Sequence, residues 1–150
     1  MNVMKKIRGI INYIGSRKIT SGAAAIIKNN KGEILLGKRE KNHLFYPDIW
    51  GIPGGLIDYN ETSEQAVRRE VKEEVGVNIK IIKKGRVYEE LPTRTLNFQT
   101  ITFIYYGKII SGIPKPMDET SEVGWFKPSE IKKMKLAYNQ EEILKKEGVI

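Results

Sequence analysis

The chain has 150 residues, a length that fits one domain able to bury a full hydrophobic core. With 40% hydrophobic and 29% charged residues it has a globular composition, and no apolar run approaches the ~18 residues of a membrane-spanning helix. The absence of cysteine excludes disulfides, thiolate metal sites and cysteine nucleophiles. We therefore expect residues 1–150 to form a single domain with no membrane span, located in the reducing cytoplasm.

Residues 1–18 are predicted to form an amphipathic helix. Apolar side chains recur there at helical spacing, with basic side chains between them. The apolar positions are Val3, Ile7, Ile10 and Ile14. Polar residues interrupt the run and Arg17 and Lys18 close it without a cleavage motif, which argues against a secretion signal. We expect this helix to dock on the domain or on a second subunit, with contact to a membrane surface or nucleic acid as the alternative.

The middle of the chain alternates strand and turn signals. Two apolar runs, 23–27 and 34–36, flank a turn sequence of asparagine, lysine and glycine, which predicts a β-hairpin. The segment 41–55 places aromatic residues among turn formers and is predicted to be a loop. Further strands are predicted where β-branched and aromatic residues dominate, and two helices are predicted to finish the chain. The strands are 77–91, 96–110 and 122–128, and the helices are 128–135 and 140–146.

The segment 63–75 has the clearest helix signals. Thr62 and Gln65 match a capping box, no helix breaker interrupts the segment, and Gly76 stands where a helix should end. At about 100° per residue, three valines fall on one stripe of this helix and three acidic side chains fall along its flank. The acidic residues are Glu70, Glu73 and Glu74.

Neighbouring carboxylates on one helix edge have no obvious benefit for stability. Acidic side chains three or four positions apart repel one another by about 0.2–0.5 kcal/mol per pair. A divalent cation would offset this repulsion, and hard ions such as Mg²⁺ and Mn²⁺ prefer oxygen ligands and substrate phosphates. The alternative is a solvated charged face, supported by the basic residues of the same helix. These are Arg68, Arg69 and Lys72.

The wider spacing decides between these readings, because it resembles the Nudix box. Gly55, Glu61 and the sequence REVKEEVGV at 69–77 stand at the fixed positions of that motif. The sequences WGIPGG before it and EVGWFKPSEI after it also resemble the family, so the resemblance covers residues 21–135.

The resemblance implies an α/β fold, an α/β/α sandwich with a central mixed β-sheet. It also implies metal-dependent hydrolysis of the diphosphate linkage in a nucleoside diphosphate joined to another group X, with Mg²⁺ or Mn²⁺ as cofactor. By this resemblance the metal ligands are Glu70, Glu73, Glu74 and the carbonyl of Gly54. Arg69 would orient the carboxylates, and Glu61 would support the site. Glycine at 54 and 55 also suits a loop that must approach metal and substrate closely.

The sequence leaves two possible positions for the general base, because Nudix enzymes take it either from the helix or from a later loop. On the helix we favour Glu73 or Glu70. The loop candidates are Glu119 and Glu122, for which a solvated surface role is the alternative.

The substrate is less constrained by sequence. Aromatic residues could stack on a nucleobase, although core packing is the alternative, favoured for Trp50. They are Phe45, Tyr46, Trp50 and Tyr88. Pro92 stands fifteen positions past the motif, as in ADP-ribose pyrophosphatases, although a turn between strands explains it equally well. His43, which lacks a clustered partner in sequence, is assigned to the surface and not to the site.

The net charge of +8 predicts attraction of polyanions. No arginine-rich stripe with interleaved aromatics is present, which favours a small-molecule nucleotide over nucleic acid as partner. The alternatives to ADP-ribose or another nucleoside diphosphate derivative are a nucleoside triphosphate, an RNA 5′ end and a catalytically silent, nucleotide-binding regulator. Dimers are common among Nudix proteins, so a homodimer is also an expected state.

Overall fold

The computed structural model describes residues 19–94 and 96–150, so the helix predicted over 1–18 lies outside the described residues. Seven strands and three helices follow one another along this part of the chain. They are β1 (Ile19–Ile27), β2 (Ile34–Arg39), β3 (Trp50–Gly51), β4 (Gly54–Leu56), α1 (Ser63–Val75), β5 (Asn78–Glu90), β6 (Gln99–Ser111), β7 (Thr120–Phe126), α2 (Pro128–Ile131) and α3 (Gln140–Lys146).

The strands form two sheets. The larger sheet is mixed, with order β4-β1-β6-β5, in which β1 and β6 are parallel and the two outer strands are antiparallel to their neighbours. The smaller sheet is antiparallel, with order β3-β2-β7. Helices flank the mixed sheet, which confirms the predicted α/β fold, whereas the separate three-stranded sheet was not foreseen. Within the described residues, no helix is long and apolar enough to span a membrane.

The core has two halves, one on each face of β1. Ala23, Ala25 and Ile27 pack with the valines of α1, while Ala24 and Ile26 pack with residues from α2, α3 and the C-terminal end. Because both faces of β1 are buried from Ala23 to Ile27, this part of the strand is continuously apolar and does not alternate. Burial on both faces fixes the position of α1 against the sheet.

The hairpin predicted for 23–27 and 34–36 is wrong. The turn itself forms, since Asn29 Oδ1 accepts hydrogen bonds from the backbone N–H of Lys31 and Glu33, each at 3.0 Å. The strands then separate into different sheets and share one isolated bridge, between Lys28 and Ile34. Each strand instead fills both of its pairing edges with other strands, which a local turn signal cannot reveal.

Helix α1 begins and ends as predicted. Thr62 Oγ1 accepts a hydrogen bond from the N–H of Gln65, whose side chain accepts one from the N–H of Thr62, which completes the capping box. Gly76 ends the helix in the left-handed conformation, with φ of 73°. The acidic edge of α1, formed by Glu70, Glu73 and Glu74, is therefore part of a well-defined helix.

The predicted helix 128–135 is too long. It ends at Ile131, and turn hydrogen bonds carry the chain onward through Met134. Leu136 and Ala137 are buried, and the N–H of Ala137 donates to the carbonyl of Trp50 at 3.0 Å. The helix stops because the chain must place these residues beside β3. The other predicted helix and the later strands are confirmed within a few residues.

Candidate active site

A pocket of about 450 Å³ lies where β1, β2, α1 and the chain entering α3 come together. Carboxylates and aromatic rings share its wall. The acidic residues on the wall are Asp58, Glu70, Glu74, Glu90 and Glu119, and the aromatic ones are Phe45, Tyr59, Phe98 and Tyr138. A cavity of this size and composition suits a ligand that has both an anionic and a ring portion.

Glu70 is the most buried carboxylate of the acidic edge. Its exposure is 1%, and Nη1 of Arg69 donates to Oε1 at 2.6 Å. Its carboxyl group lies against Gly55, where an added Cβ would stand 2.5 Å from Cδ and 2.6 Å from Oε2. Only glycine fits at this position of β4, because any side chain would displace the carboxylate.

Glu74 connects α1 to the neighbouring strand. Its Oε2 accepts a hydrogen bond from the N–H of Gly54 at 3.0 Å, and both residues line the pocket. An added Cβ at Gly54 would stand 2.4 Å from the carbonyl oxygen of Ala23. The two consecutive glycines thus let β4 pass closely between β1 and the acidic edge of α1.

Arg69 forms hydrogen bonds with two further acidic residues, Glu61 and Glu73. Its guanidinium donates to both oxygens of Glu61, at 2.8 and 3.0 Å, and to Glu73 at 3.2 Å. It also donates to the carbonyl of Leu56 at 3.0 Å. Hydrogen bonding to Arg69 lowers the pKa of Glu61, and the bond to Glu61 is the main cause that raises the pKa of Arg69. This network lies behind the pocket wall and fixes how α1 presents its carboxylates.

The donor chemistry of this edge suits a hard divalent ion. Glu70, Glu74 and Gly54 offer only oxygen ligands and lie on the pocket wall. Glu73 is directed to Arg69 instead. Over residues 19–94 and 96–150, no three acidic or histidine side chains stand close enough together to form a ready-made metal cluster. The edge therefore supplies the right donors, with Glu73 engaged by Arg69.

The surface assignment of His43 is wrong. Its side chain is 9% exposed and lines the pocket, where Nε2 lies 3.0 Å from Oε2 of Glu119. Nδ1 lies 3.1 Å from the backbone N of Phe45 and 3.0 Å from Nη2 of Arg39. Arg39 and Phe45 are near His43 in sequence, but Glu119 is 76 positions away, so the sequence around His43 gives no sign of the carboxylate.

The structure separates the two loop carboxylates. Glu119 lies on the pocket wall with a side-chain exposure of 19%. Glu122 is 58% exposed, pairs with Lys38 at 3.1 Å and is not among the residues of that wall. Glu119 stands just before β7 and Glu122 lies within it.

Of the four aromatic candidates for base stacking, Phe45 lies on the pocket wall, whereas Tyr46, Trp50 and Tyr88 do not. Trp50 packs edge-on against Phe126, with ring centroids 4.9 Å apart. Tyr88 is 7% exposed and donates to Glu147 at 2.8 Å. Tyr46 packs against Tyr138 at 4.5 Å between ring centroids.

Phe45 shares the wall with residues that the sequence did not single out, namely Arg39, Phe98, Tyr138 and Gln140. Phe45 and Phe98 pack edge-on at 5.6 Å, and the guanidinium of Arg39 lies 5.5 Å from the ring centroid of Tyr138. Gln140 accepts a hydrogen bond from the N–H of Ile52 at 2.8 Å through its side-chain oxygen. Each of these contacts joins distant segments, so no local pattern predicts it.

The chain belongs to the Nudix family, because the model of the NUDIX domain matches residues 18–146. An ADP-ribose pyrophosphatase of Methanocaldococcus jannaschii is 35% identical over 120 residues, which cover 80% of this chain and 67% of that protein. An 8-oxo-dGTP diphosphatase of Haemophilus influenzae is 37% identical over 86 residues, which cover 55% of this chain and 60% of that protein.

Solved structures agree with this assignment. A MutT Nudix hydrolase of Burkholderia pseudomallei superposes with a TM-score of 0.75 at 26% identity, covering 85% of this chain and 96% of that chain. The chain is accordingly a hydrolase that acts on pyrophosphate bonds. Nudix hydrolases generally use divalent metal ions.

Proposed function

We propose that this protein cleaves the diphosphate linkage of a nucleoside diphosphate joined to another group X, with Mg²⁺ or Mn²⁺ as cofactor. The observation that carries this proposal is the wall shared by Glu70, Glu74 and the aromatic rings of Phe45 and Phe98 in one pocket. An anionic diphosphate suits a metal-loaded acidic edge, and a planar base suits aromatic rings.

In this proposal Glu70, Glu73, Glu74 and the carbonyl of Gly54 hold the metal. When bound, the metal neutralises the diphosphate, activates water and stabilises charge on the leaving oxygen. Arg69 keeps Glu70 and Glu73 at the same edge of α1. Glu61 in turn fixes Arg69 through two hydrogen bonds, which makes both of them positioning residues.

Glu119 is the best-placed general base for the attacking water. It lies on the pocket wall, whereas Glu122 faces solvent with Lys38. Glu73 is hydrogen-bonded to Arg69 and is absent from the pocket wall. Glu119 would take a proton from the water whose oxygen bonds to phosphorus, while the anhydride P–O bond breaks and its electrons stay on the leaving phosphate.

A direct test compares acidic residues of α1 within one assay. In Glu74→Gln and Glu73→Gln we expect a fall in kcat of about 100-fold or more with ADP-ribose and Mg²⁺, because a ligand of the activating ion is lost. Glu64→Gln is the matched control, since Glu64 lies on the same helix, pairs with Arg68 and is absent from the pocket wall. Equal activity of all three variants would refute the proposal.

A nucleoside triphosphate is the second candidate substrate. The relative named 8-oxo-dGTP diphosphatase supports it, as the relative named ADP-ribose pyrophosphatase supports the first. Turnover of ADP-ribose, other sugar nucleotides, nucleoside triphosphates and 5′-triphosphorylated RNA, each with Mg²⁺ and with Mn²⁺, ranks these substrates. Strand β5 carries several basic side chains, which would attract an RNA end. A steep fall in RNA binding as the salt concentration rises would support RNA as the substrate.

The proposed setting of this reaction is the cytoplasm, with the protein as a homodimer. Cysteine is absent from the chain, which is compatible with a reducing compartment. Light scattering of the purified protein measures the mass in solution and tests the dimer.

A further inference from the structure

His43 makes contacts that neither the Nudix motif nor the proposed metal site requires. Its ring stands between Arg39 and Glu119 on the pocket wall, and its side chain is 9% exposed. A nearly buried imidazole beside a carboxylate in a cleft is a functional-site candidate. The inference below rests on the proposed function, because it concerns the proposed general base Glu119.

The contacts of the ring define which nitrogen carries the hydrogen. The backbone N–H of Phe45 points to Nδ1 at 3.1 Å, so Nδ1 must offer a lone pair. Nη2 of Arg39 lies 3.0 Å from Nδ1 and 2.9 Å from Nε2, so this contact does not distinguish the two nitrogens. With Nδ1 accepting from Phe45 and a carboxylate beside Nε2, the hydrogen belongs on Nε2, and this N–H donates to Oε2 of Glu119 at 3.0 Å.

The backbone around Glu119 is held independently of His43. The loop before it is tied to the end of α1, since the N–H of Met117 donates to the carbonyl of Glu74 at 3.1 Å. The carbonyl of Glu119 itself accepts from the N–H of Glu40 at 3.0 Å. The backbone thus brings Glu119 close to the acidic edge, and His43 acts on its side chain.

We propose that His43 is a positioning residue, which fixes the carboxylate of Glu119 toward the pocket by donating a hydrogen bond from Nε2. One carboxylate oxygen is held by His43, so the carboxylate stays in one orientation when it takes a proton from water. The N–H of Phe45 acts one step further away, because it holds the imidazole in the tautomer that can donate to Glu119.

Two amide substitutions separate this role from simple support of the loop 41–48. The side-chain oxygen of asparagine overlays Nδ1, so His43→Asn keeps the acceptor for Phe45 but loses the donor to Glu119. The side-chain nitrogen of glutamine overlays Nε2, so His43→Gln keeps that donor. We expect kcat to fall about 10–100-fold in His43→Asn with KM nearly unchanged, and to be largely retained in His43→Gln.

A purely structural role predicts the reverse order, with His43→Gln the more damaged variant in both thermal stability and kcat. That result would overturn the inference. A double-mutant cycle adds a second criterion, because His43→Asn should have no further effect on kcat when Glu119 is already glutamine. Additive losses in the double variant would show that His43 does not act through Glu119.

The tautomer can be measured without any substrate. His43 is the single histidine of the chain, so ¹⁵N-histidine labelling gives one unambiguous pair of ring signals. We expect a hydrogen on Nε2 alone at neutral pH; a hydrogen on Nδ1 would refute the inference. If the wild-type protein cleaves no diphosphate, the proposed function fails and the inference fails with it. If it does, and His43→Asn is fully active, only the inference fails.

Discussion

The carboxylate of Glu70 lies directly against the backbone of Gly55, with no room for a methyl group between them. Glu70 comes from α1 and Gly55 from β4, so this contact sets the distance between the helix and the strand at the pocket. A buried carboxylate in such a position is costly unless it is compensated by hydrogen bonds or a cation. Arg69 supplies one such hydrogen bond, at 2.6 Å.

This contact predicts a specific coupling between positions 55 and 70. Gly55→Ala should lower the free energy of unfolding by about 1–3 kcal/mol, because the new methyl overpacks the site. The cost should be much smaller in a Glu70→Ala background, where the obstructing carboxyl group is absent. Chemical denaturation of the four proteins measures the coupling, and equal costs in both backgrounds would show that Glu70 does not occupy this space.

The hydrogen bond between Gln140 and Ile52 predicts a second effect on stability. Gln140→Leu leaves the buried N–H of Ile52 without its 2.8 Å acceptor, so we expect a loss of about 1–3 kcal/mol. Asn139→Ala is a suitable control, because the Asn139 side chain makes no capping hydrogen bond. Thermal unfolding compares the two variants. A loss for Asn139→Ala as large as that for Gln140→Leu would contradict this assignment.

The carboxyl group of Glu147 predicts a dependence of stability on pH. Burial opposes its ionisation, but hydrogen bonds from Tyr106, from the N–H of Arg86 and from Tyr88 outweigh burial and lower its pKa. Its stabilising contribution is therefore present above the unfolded-state pKa of about 4.3 and is lost as pH falls through the lower folded-state value. We expect Glu147→Gln to be less stable than the wild type at pH 7, with a difference that shrinks below about pH 4.

Denaturation of both proteins from pH 3 to pH 7 measures this difference. Glu141→Gln is the control, since Glu141 is 51% exposed and pairs with Lys145 on the surface. A gap between wild type and Glu147→Gln that stays constant over this range would mean that Glu147 is not responsible for the dependence.

The separation of Glu119 from Glu122 predicts different kinetics for two similar substitutions. Glu119→Gln should reduce kcat by about 100-fold or more, as expected when a general base is removed. Glu122→Gln should remain within about twofold of the wild type, because a surface ion pair with Lys38 contributes little. Steady-state assays of both variants, with whichever of the candidate substrates the wild type turns over fastest, measure the two losses in kcat. A large loss in Glu122→Gln alone would identify Glu122, and not Glu119, as the base.

What could be predicted from the sequence was encoded locally. The capping residues Thr62 and Gln65 and the left-handed Gly76 gave the bounds of α1, and its periodicity placed the acidic edge beside the core. The hairpin failed because a turn signal says nothing about which strands pair beyond the turn. Leu136 likewise shortened α2 through a contact with β3 that a helix pattern cannot contain.

The missed parts of the site depend on contacts between distant positions. His43 meets Glu119 across 76 positions, and Gln140 meets Ile52 across 88. Tyr88 looked like a candidate for base stacking, but its hydroxyl finds Glu147 at the end of α3, 59 positions later. Only the packing of the two sheets and the C-terminal helix brings such pairs together.

The most direct test of the central claim is an anomalous-scattering map of crystals soaked with Mn²⁺ and a non-hydrolysable nucleoside diphosphate derivative. The account predicts an ion in direct contact with the carboxylates of Glu70 and Glu74, and the diphosphate beside it in the pocket. An ion bound elsewhere, with these carboxylates contacting neither metal nor diphosphate, would contradict it.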